Sequence, residues 1–357
     1  MAKVVGGFGS SHSPLMSLLT GELWESQAQN DPRNNGLVMM PEGKRVDYDV
    51  LLANADSSIA TMVNREVFEQ RIDNLQEGLD ELQRRFVETK PDVVVMIGDD
   101  QDEFFFDDNM PMINVYWGET IRLVPRTIRE GASPAQIVSA KAYGEDDKDY
   151  PVHRDLGLHI IDSLVNQDFD VSQTQYMKEE YGGSIGPANW YLDSQRVTKP
   201  RRFGLPHAFA FPLVRWFGGL EPPIVPITIN TCYPPNWISA RRAYDLGVAV
   251  RKAVDAWDTD LTVAFATSGG LSHFVVDEEF DRLALKGLET ADPEILRTLP
   301  RHRLQSATTE TLNWVCTAGA MQTPMETIAY EPGYRTPAGT GCGCAVGHWA
   351  VNGHNGH

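Results

Sequence analysis

The chain of 357 residues predicts an α/β fold: one domain with a largely parallel or mixed central sheet, flanked by helices, and an active site at the C-terminal ends of its strands. Two observations carry this. Four apolar runs are each followed at once by small, polar or reactive residues, and helical patterns lie between them. Such alternation is the signature of a sheet covered on both faces by helices.

The runs are KVVGGFG (3–9) before SSHSP, DVVVMIG (92–98) before DDQDE, PIVPITIN (223–230) before TCYPPNW, and LTVAFAT (261–267) before SGGLSH. Unbroken apolar runs of this length fit strands buried on both faces. Between them, Phe68, Ile72, Leu75, Leu79, Leu82 and Phe86 recur at steps of four and three, a helix stripe made for packing on a sheet. Residues 156–165 and 235–257 read as two further helices. Open parallel sheets place their sites beyond the carboxyl ends of the strands. Three of these runs would deliver His12, Gln101 and His273 there.

Composition bounds the function. Hydrophobic residues make up 42% and charged residues 22% of the chain, as in ordinary globular proteins. A net charge of −18 speaks against nucleic acid, whose phosphates need a positive surface, and against anionic membranes. No apolar stretch approaches the roughly 20 residues of a membrane helix, and the N-terminus lacks the apolar core of a signal peptide. Four cysteines without a CxxC pair suit a reducing cytoplasm and disfavour a zinc ribbon. The expectation is a single domain over residues 1–357. Residues 17–58 form a polar excursion that serves as surface loop, lid or interface, and residues 351–357 a loose tail.

The nine histidines are not equivalent. His159, among apolar helix residues, and His153, at a helix entry, read as structural. His302, His354 and His357 carry no signal, and His348 is undecided. His12 in GSSHSP and His273 in TSGGLSH follow strands that break into small residues, where a ligand has room. His207 in GLPHAFAFPL precedes a stretch suited to a pocket wall. As a set they suggest metal binding with general acid–base work.

GFGSSHSP, PDVVVMIGDDQ, HAFAFPL, NTCYPPN, SGGLSH and TTETLNW occur in the order found in the class III extradiol ring-cleavage dioxygenases, and the chain resembles that family over roughly residues 3–350. It is similar to the catalytic subunits of the protocatechuate-cleaving enzymes, and closer, through GYRTPAGTGCG, to the gallate and methylgallate enzymes. The resemblance implies an Fe(II) site holding His12 and Glu310, with His273 as the base that deprotonates a substrate hydroxyl and His207 as a second pocket histidine touching substrate. It implies a small aromatic substrate and O2 as co-substrate. The second metal histidine of the family corresponds to Gln101, in DDQ. Three outcomes stay open there: the amide ligates iron, Asp99 or Asp100 takes its place, or the site has left iron chemistry for hydrolase or lyase work by His273 and His207. A non-catalytic partner subunit is a further alternative, which the presence of His273 and Glu310 disfavours.

Softer expectations concern the other motifs. CYPPN shapes a turn at the site's edge, and GTGCGCAVG reads as a backbone loop approaching substrate. Arg335 and Thr340 in GYRTPAGT, or Arg201 and Arg202, are candidates to meet a substrate carboxylate; the alternative, favoured for each arginine, is a plain exposed surface position. A homo-oligomer, most simply a dimer, is expected from the general habit of soluble enzymes.

Overall fold

The computed structural model describes residues 1–106, 109–128, 130–176 and 204–351. Its centre is a nine-stranded mixed sheet. In chain order the strands are β1 (Lys3–Ser10), β2 (Val93–Gly98), β3 (Ile113–Tyr116), β4 (Ser172–Thr174), β5 (Ile224–Ile229), β6 (Thr262–Ser268), β7 (His273–Val275), β8 (Met325–Tyr334) and β9 (Thr340–Ala350). Side by side they run β7-β9-β1-β6-β2-β5-β3-β4, with β8 on the other flank of β9.

The middle of the sheet, β1-β6-β2-β5, is parallel throughout. All four apolar runs of the sequence are therefore neighbours, and their carboxyl ends share one edge. β9 is antiparallel to β1, β7 and β8.

Every residue of β2 is buried, and its alternation assigns its side chains to two cores. Val93, Val95 and Ile97 join the cluster under helices Arg154–Val165 (α2), Ala240–Ala256 (α4), Glu278–Glu289 (α5) and Thr311–Met321 (α6). Val94 and Met96 join the opposite cluster, under helices Arg65–Thr89 (α1) and His207–Arg215 (α3). This two-sided burial is why the run contains no polar residue until the strand ends.

The predicted stripe Phe68–Ile72–Leu75–Leu79–Leu82–Phe86 is buried along α1. The Asn64 side chain caps the start by accepting from Val67 N, and Lys90 closes the end in a left-handed conformation. Truncating a fully buried leucine such as Leu79 would cost about 2–5 kcal/mol.

Two expectations need correction. The helix read over 235–257 begins only at Ala240, where the Ser239 hydroxyl accepts from Arg242 N; the residues before it form a turn in which the Asn230 side chain bonds both Tyr233 N and Tyr233 O. GTGCGCAVG is no loop: all of it after Gly339 lies within the eleven-residue strand β9. Its small residues serve close packing: a Cβ on Gly343 would stand 2.0 Å from Asp281 Oδ2 on α5. All four cysteines are free and buried.

The excursion over 17–58 is fastened to the body. Asp31 accepts from Arg335 Nε and Nη2 at 3.0 and 2.9 Å and from Thr340 Oγ1 at 2.6 Å. Ser306 Oγ donates to Gly36 O.

Candidate metal centre

At the shared carboxyl edge five chain segments converge. After β1 the backbone delivers His12. After β2 come Asp99, Asp100 and Gln101. After β6 the Gly269–Gly270 turn leads to His273, the first residue of β7. Glu310 ends a short helical turn, Ser306–Glu310, and directly precedes α6. His207 opens α3 from the side.

These side chains meet. One donor atom from each of His12, His207 and Glu310 lies within 4.8 Å of the others. His12 Nε2 is 3.3 Å from Glu310 Oε2, and His273 Nε2 is 3.9 Å from the same oxygen. The His12 and His207 rings stand nearly perpendicular, 4.4 Å between centroids. His12, His273 and Glu310 are buried, and His207 nearly so.

Each imidazole has its Nδ1 engaged on the outer side. His12 Nδ1 pairs with Ser268 Oγ at 2.7 Å, His207 Nδ1 with Glu103 Oε2 at 2.8 Å, and His273 Nδ1 with Leu271 O at 3.0 Å. A carbonyl or carboxylate at Nδ1 can only accept, so His207 and His273 carry their proton there and keep the lone pair on Nε2. His12 Nε2 is buried without a well-directed hydrogen bond. A buried nitrogen left in that state beside a carboxylate is what a bound cation would satisfy. Two imidazoles and one carboxylate are also the donor set of non-haem Fe(II) sites that leave positions open for substrates. The residues present therefore fit a metal ion.

Gln101 is adjacent but turned differently. Its Nε2 donates to Glu310 Oε1 at 2.8 Å and to Asp99 Oδ2 at 3.3 Å. Two carboxylates leave only the nitrogen end of the amide compatible, since its oxygen would oppose other acceptors. Asp99 also accepts from Asn313 Nδ2 at 2.7 Å. Asp100 points into its own loop, accepting from Glu103, Phe104 and Phe105 N. Glu310 Oε2 accepts from Gly270 N at 2.7 Å. Glycine is required at 270, because a Cβ there would lie 1.8 Å from His273 Cε1.

Charge follows from this packing. Burial by itself would raise the Glu310 carboxyl, but His273, His12 and His207 around it hold it below its ordinary range. Burial would lower His12, yet Glu310 and Asp99 outweigh that and raise it. Burial lowers His273, and burial with His12 and Arg126 lowers His207, so both are neutral near pH 7. Burial raises Asp99, helped by Glu310, and raises Asp100 to about 7.

Arg335 and Thr340 turn their polar atoms to Asp31 rather than into the centre. Arg201, Arg202, His354 and His357 lie outside the described residues. His153 caps α2 and His159 bonds Ala253 O, while His348 Nδ1 faces Arg85.

Residues 59–339, well over half of the chain, match the family of the catalytic LigB subunit of aromatic ring-opening dioxygenase. The chain belongs to this family. A curated relative, a gallate dioxygenase of Pseudomonas putida strain KT2440, is 29% identical over 138 residues, 38% of this chain. The chain spans about a third of that relative, 34% of its length. Gln101, His207, His273 and Glu310 fall inside the LigB match, and His12 precedes it.

Several residues of the centre escaped the reading of the sequence. Asn313 had a signal, standing one helical turn after Glu310. Glu103 had a weaker one, within the acidic burst after β2. Ser268, Arg126, and Tyr143, whose hydroxyl donates to His12 O at 3.1 Å, had none. Cys342, whose Sγ is 3.1 Å from His273 Nε2, was visible only as part of a glycine-rich run.

Proposed function

We propose that this LigB-family chain is a non-haem Fe(II)-dependent extradiol dioxygenase, opening the ring of a catecholic or gallate-like aromatic acid with O2. The observation that carries the reading is the inward set of nitrogens: three histidines anchored at Nδ1 from outside and gathered around one buried glutamate.

In this reading His12, His207 and Glu310 hold the metal, with Gln101 fixing Glu310 Oε1 and Gly270 N fixing Oε2. An Fe(II) ion there would supply neighbouring open positions for a vicinal diol and O2 and a path for electrons between them. The remaining chemistry belongs to the chain. His273, neutral and fixed at Nδ1, takes a proton from a substrate hydroxyl at Nε2 and later returns it to a departing oxygen. The Cys342 thiol beside Nε2, raised well above its ordinary range by burial and by Cys344, stays protonated, and its single hydrogen is shared between Gly343 O and the Nε2 of the resting base. Burial of the whole cluster keeps bulk water from the reacting atoms.

Support for the wider setting is more general. Among the described residues no helix is long and apolar enough to cross a membrane, and free buried cysteines suit a cytoplasmic enzyme. A dimer is the expected assembly, to be checked by sedimentation.

The test is anaerobic loading with Fe(II), addition of catechols, gallate or methylated gallates, then admission of air to an oxygen electrode. Oxygen uptake with loss of the aromatic absorbance supports the reading. No uptake with any of them, or turnover that persists after chelation, removes it and favours metal-free chemistry by His273.

A further inference from the structure

Resting on the ligand set just proposed, we propose that Glu103 is the positioning residue that presents His207 to the metal. Its single carboxylate oxygen Oε2 accepts from both His207 N, at 2.6 Å, and His207 Nδ1, at 2.8 Å. One atom thereby fixes the first residue of α3 at its backbone and at its ring. The ring cannot turn about its side-chain bonds without giving up the second bond.

The segment after β2 is folded to make this reach. The Asp100 carboxylate gathers three successive backbone N–H groups, from Glu103, Phe104 and Phe105, at 3.2, 2.8 and 3.1 Å. Asp102 adopts a left-handed conformation, φ 56°, inside that turn. Such a turn sends the next side chain back across the sheet edge, where Glu103 is buried against α3. Its other oxygen, Oε1, is bonded by Arg126, whose guanidinium also lies 4.7 Å from the centroid of the Tyr143 ring. With Oε1 held by a cation and Oε2 on His207, the carboxylate is locked in both position and charge.

The chemical consequence is directional. A carboxylate at Nδ1 fixes the proton on that nitrogen, aims the Nε2 lone pair inward, and makes the imidazole a stronger donor. A helix anchor would need only the backbone N–H, so the second bond, to the ring, is the part that bears on a ligand. The same burst of polar residues thus divides its work: Gln101 orients Glu310, Asp100 shapes the loop, and Glu103 orients His207.

Anaerobic calorimetric titration of the full chain with Fe(II), repeated with Co(II) to read ligand number from the visible spectrum, tests this in four proteins: wild type, Glu103→Ala, His207→Ala and the double variant. Removal of such an outer partner is expected to weaken Fe(II) binding by about 10- to 100-fold in the wild-type background. In the His207→Ala background the same change should have almost no further effect, because its route to the metal is gone. Glu103→Gln, which keeps size and an accepting oxygen, should recover part of the affinity, and it replaces Glu103→Ala if that variant does not fold. Wild-type affinity in the Glu103 variants, or an equal loss in both backgrounds, overturns the assignment while leaving the ligand set intact. Wild-type affinity in His207→Ala would instead overturn the ligand set, and this assignment with it.

Discussion

His12 Nε2 and Glu310 Oε2 stand 3.3 Å apart, buried together, although one residue follows the first strand and the other precedes the last long helix. The parallel sheet core, with its carboxyl ends on one edge, brings His12 to the point where the helical turn before α6 presents Glu310. That contact is the geometric basis of the site.

The base and the metal ligands are separable in this arrangement. His273 reaches to 3.9 Å from Glu310 but is fixed by Leu271 O and by Thr308, which bonds both its N and its O. His273→Asn is expected to retain iron while kcat falls about 100- to 10,000-fold, the range for loss of a general base. Metal analysis beside steady-state oxygen uptake checks this; loss of iron from the variant would make His273 a ligand instead.

The Arg335–Asp31 pair is a buried ion pair joining the 17–58 excursion to the loop before β9. Arg335→Met leaves the Asp31 charge buried with only the threonine hydroxyl near it, and should cost about 3–5 kcal/mol of stability. Replacing both residues by apolar ones should recover much of that loss. Urea unfolding of the single and double variants measures both; a single variant as stable as wild type would deny the pair a structural role.

Asp281 gives the fold a pH dependence of known sign. It accepts from Ser272 N, Ser272 Oγ and Tyr330 OH, yet its burial raises the carboxyl from 3.8 to about 7. The folded state therefore holds a proton that the unfolded state has lost between those values, so its stabilising contribution is full below 3.8, declines as pH rises to about 7, and levels off above. Asp281→Asn should flatten that part of the stability profile. Denaturation midpoints at closely spaced pH values decide it, and an unchanged slope in the variant would assign the dependence elsewhere.

Gly343 lies against the same carboxylate. Gly343→Ala should destabilise by about 1–3 kcal/mol, the usual range for overpacking a filled site, because its Cβ would meet Asp281 Oδ2 at 2.0 Å. Thermal unfolding of this variant, compared with Gly131→Ala, where nothing lies within 4 Å of the added carbon but φ is 77°, separates crowding from backbone strain.

Much of this was legible in the sequence because it is local. The run VVVMIG announces a strand buried on both faces, and the α1 stripe announces its own packing. The small residues after β1 and β6 mark where His12 and His273 have room. Strand order was not legible, since pairing is set by contacts far apart in the chain. For the same reason nothing in GYRTPAGT showed that Arg335 and Thr340 would meet Asp31, and nothing in DDQDE showed which acid would face the centre and which its own loop. GTGCGCAVG misled as a loop because glycine density signals turns as readily as it signals a strand pressed against a helix.

The most direct measurement is the iron stoichiometry of four variants loaded anaerobically and desalted: His12→Ala, His207→Ala, Glu310→Ala and Gln101→Ala. The expected result is about one iron per chain in wild type and Gln101→Ala, almost none in His12→Ala and Glu310→Ala, and well under one in His207→Ala, whose weakened residual binding is read by titration at higher Fe(II). Iron retained by His207→Ala but lost from Gln101→Ala would contradict the account, and would make the amide, rather than the second imidazole, the third ligand.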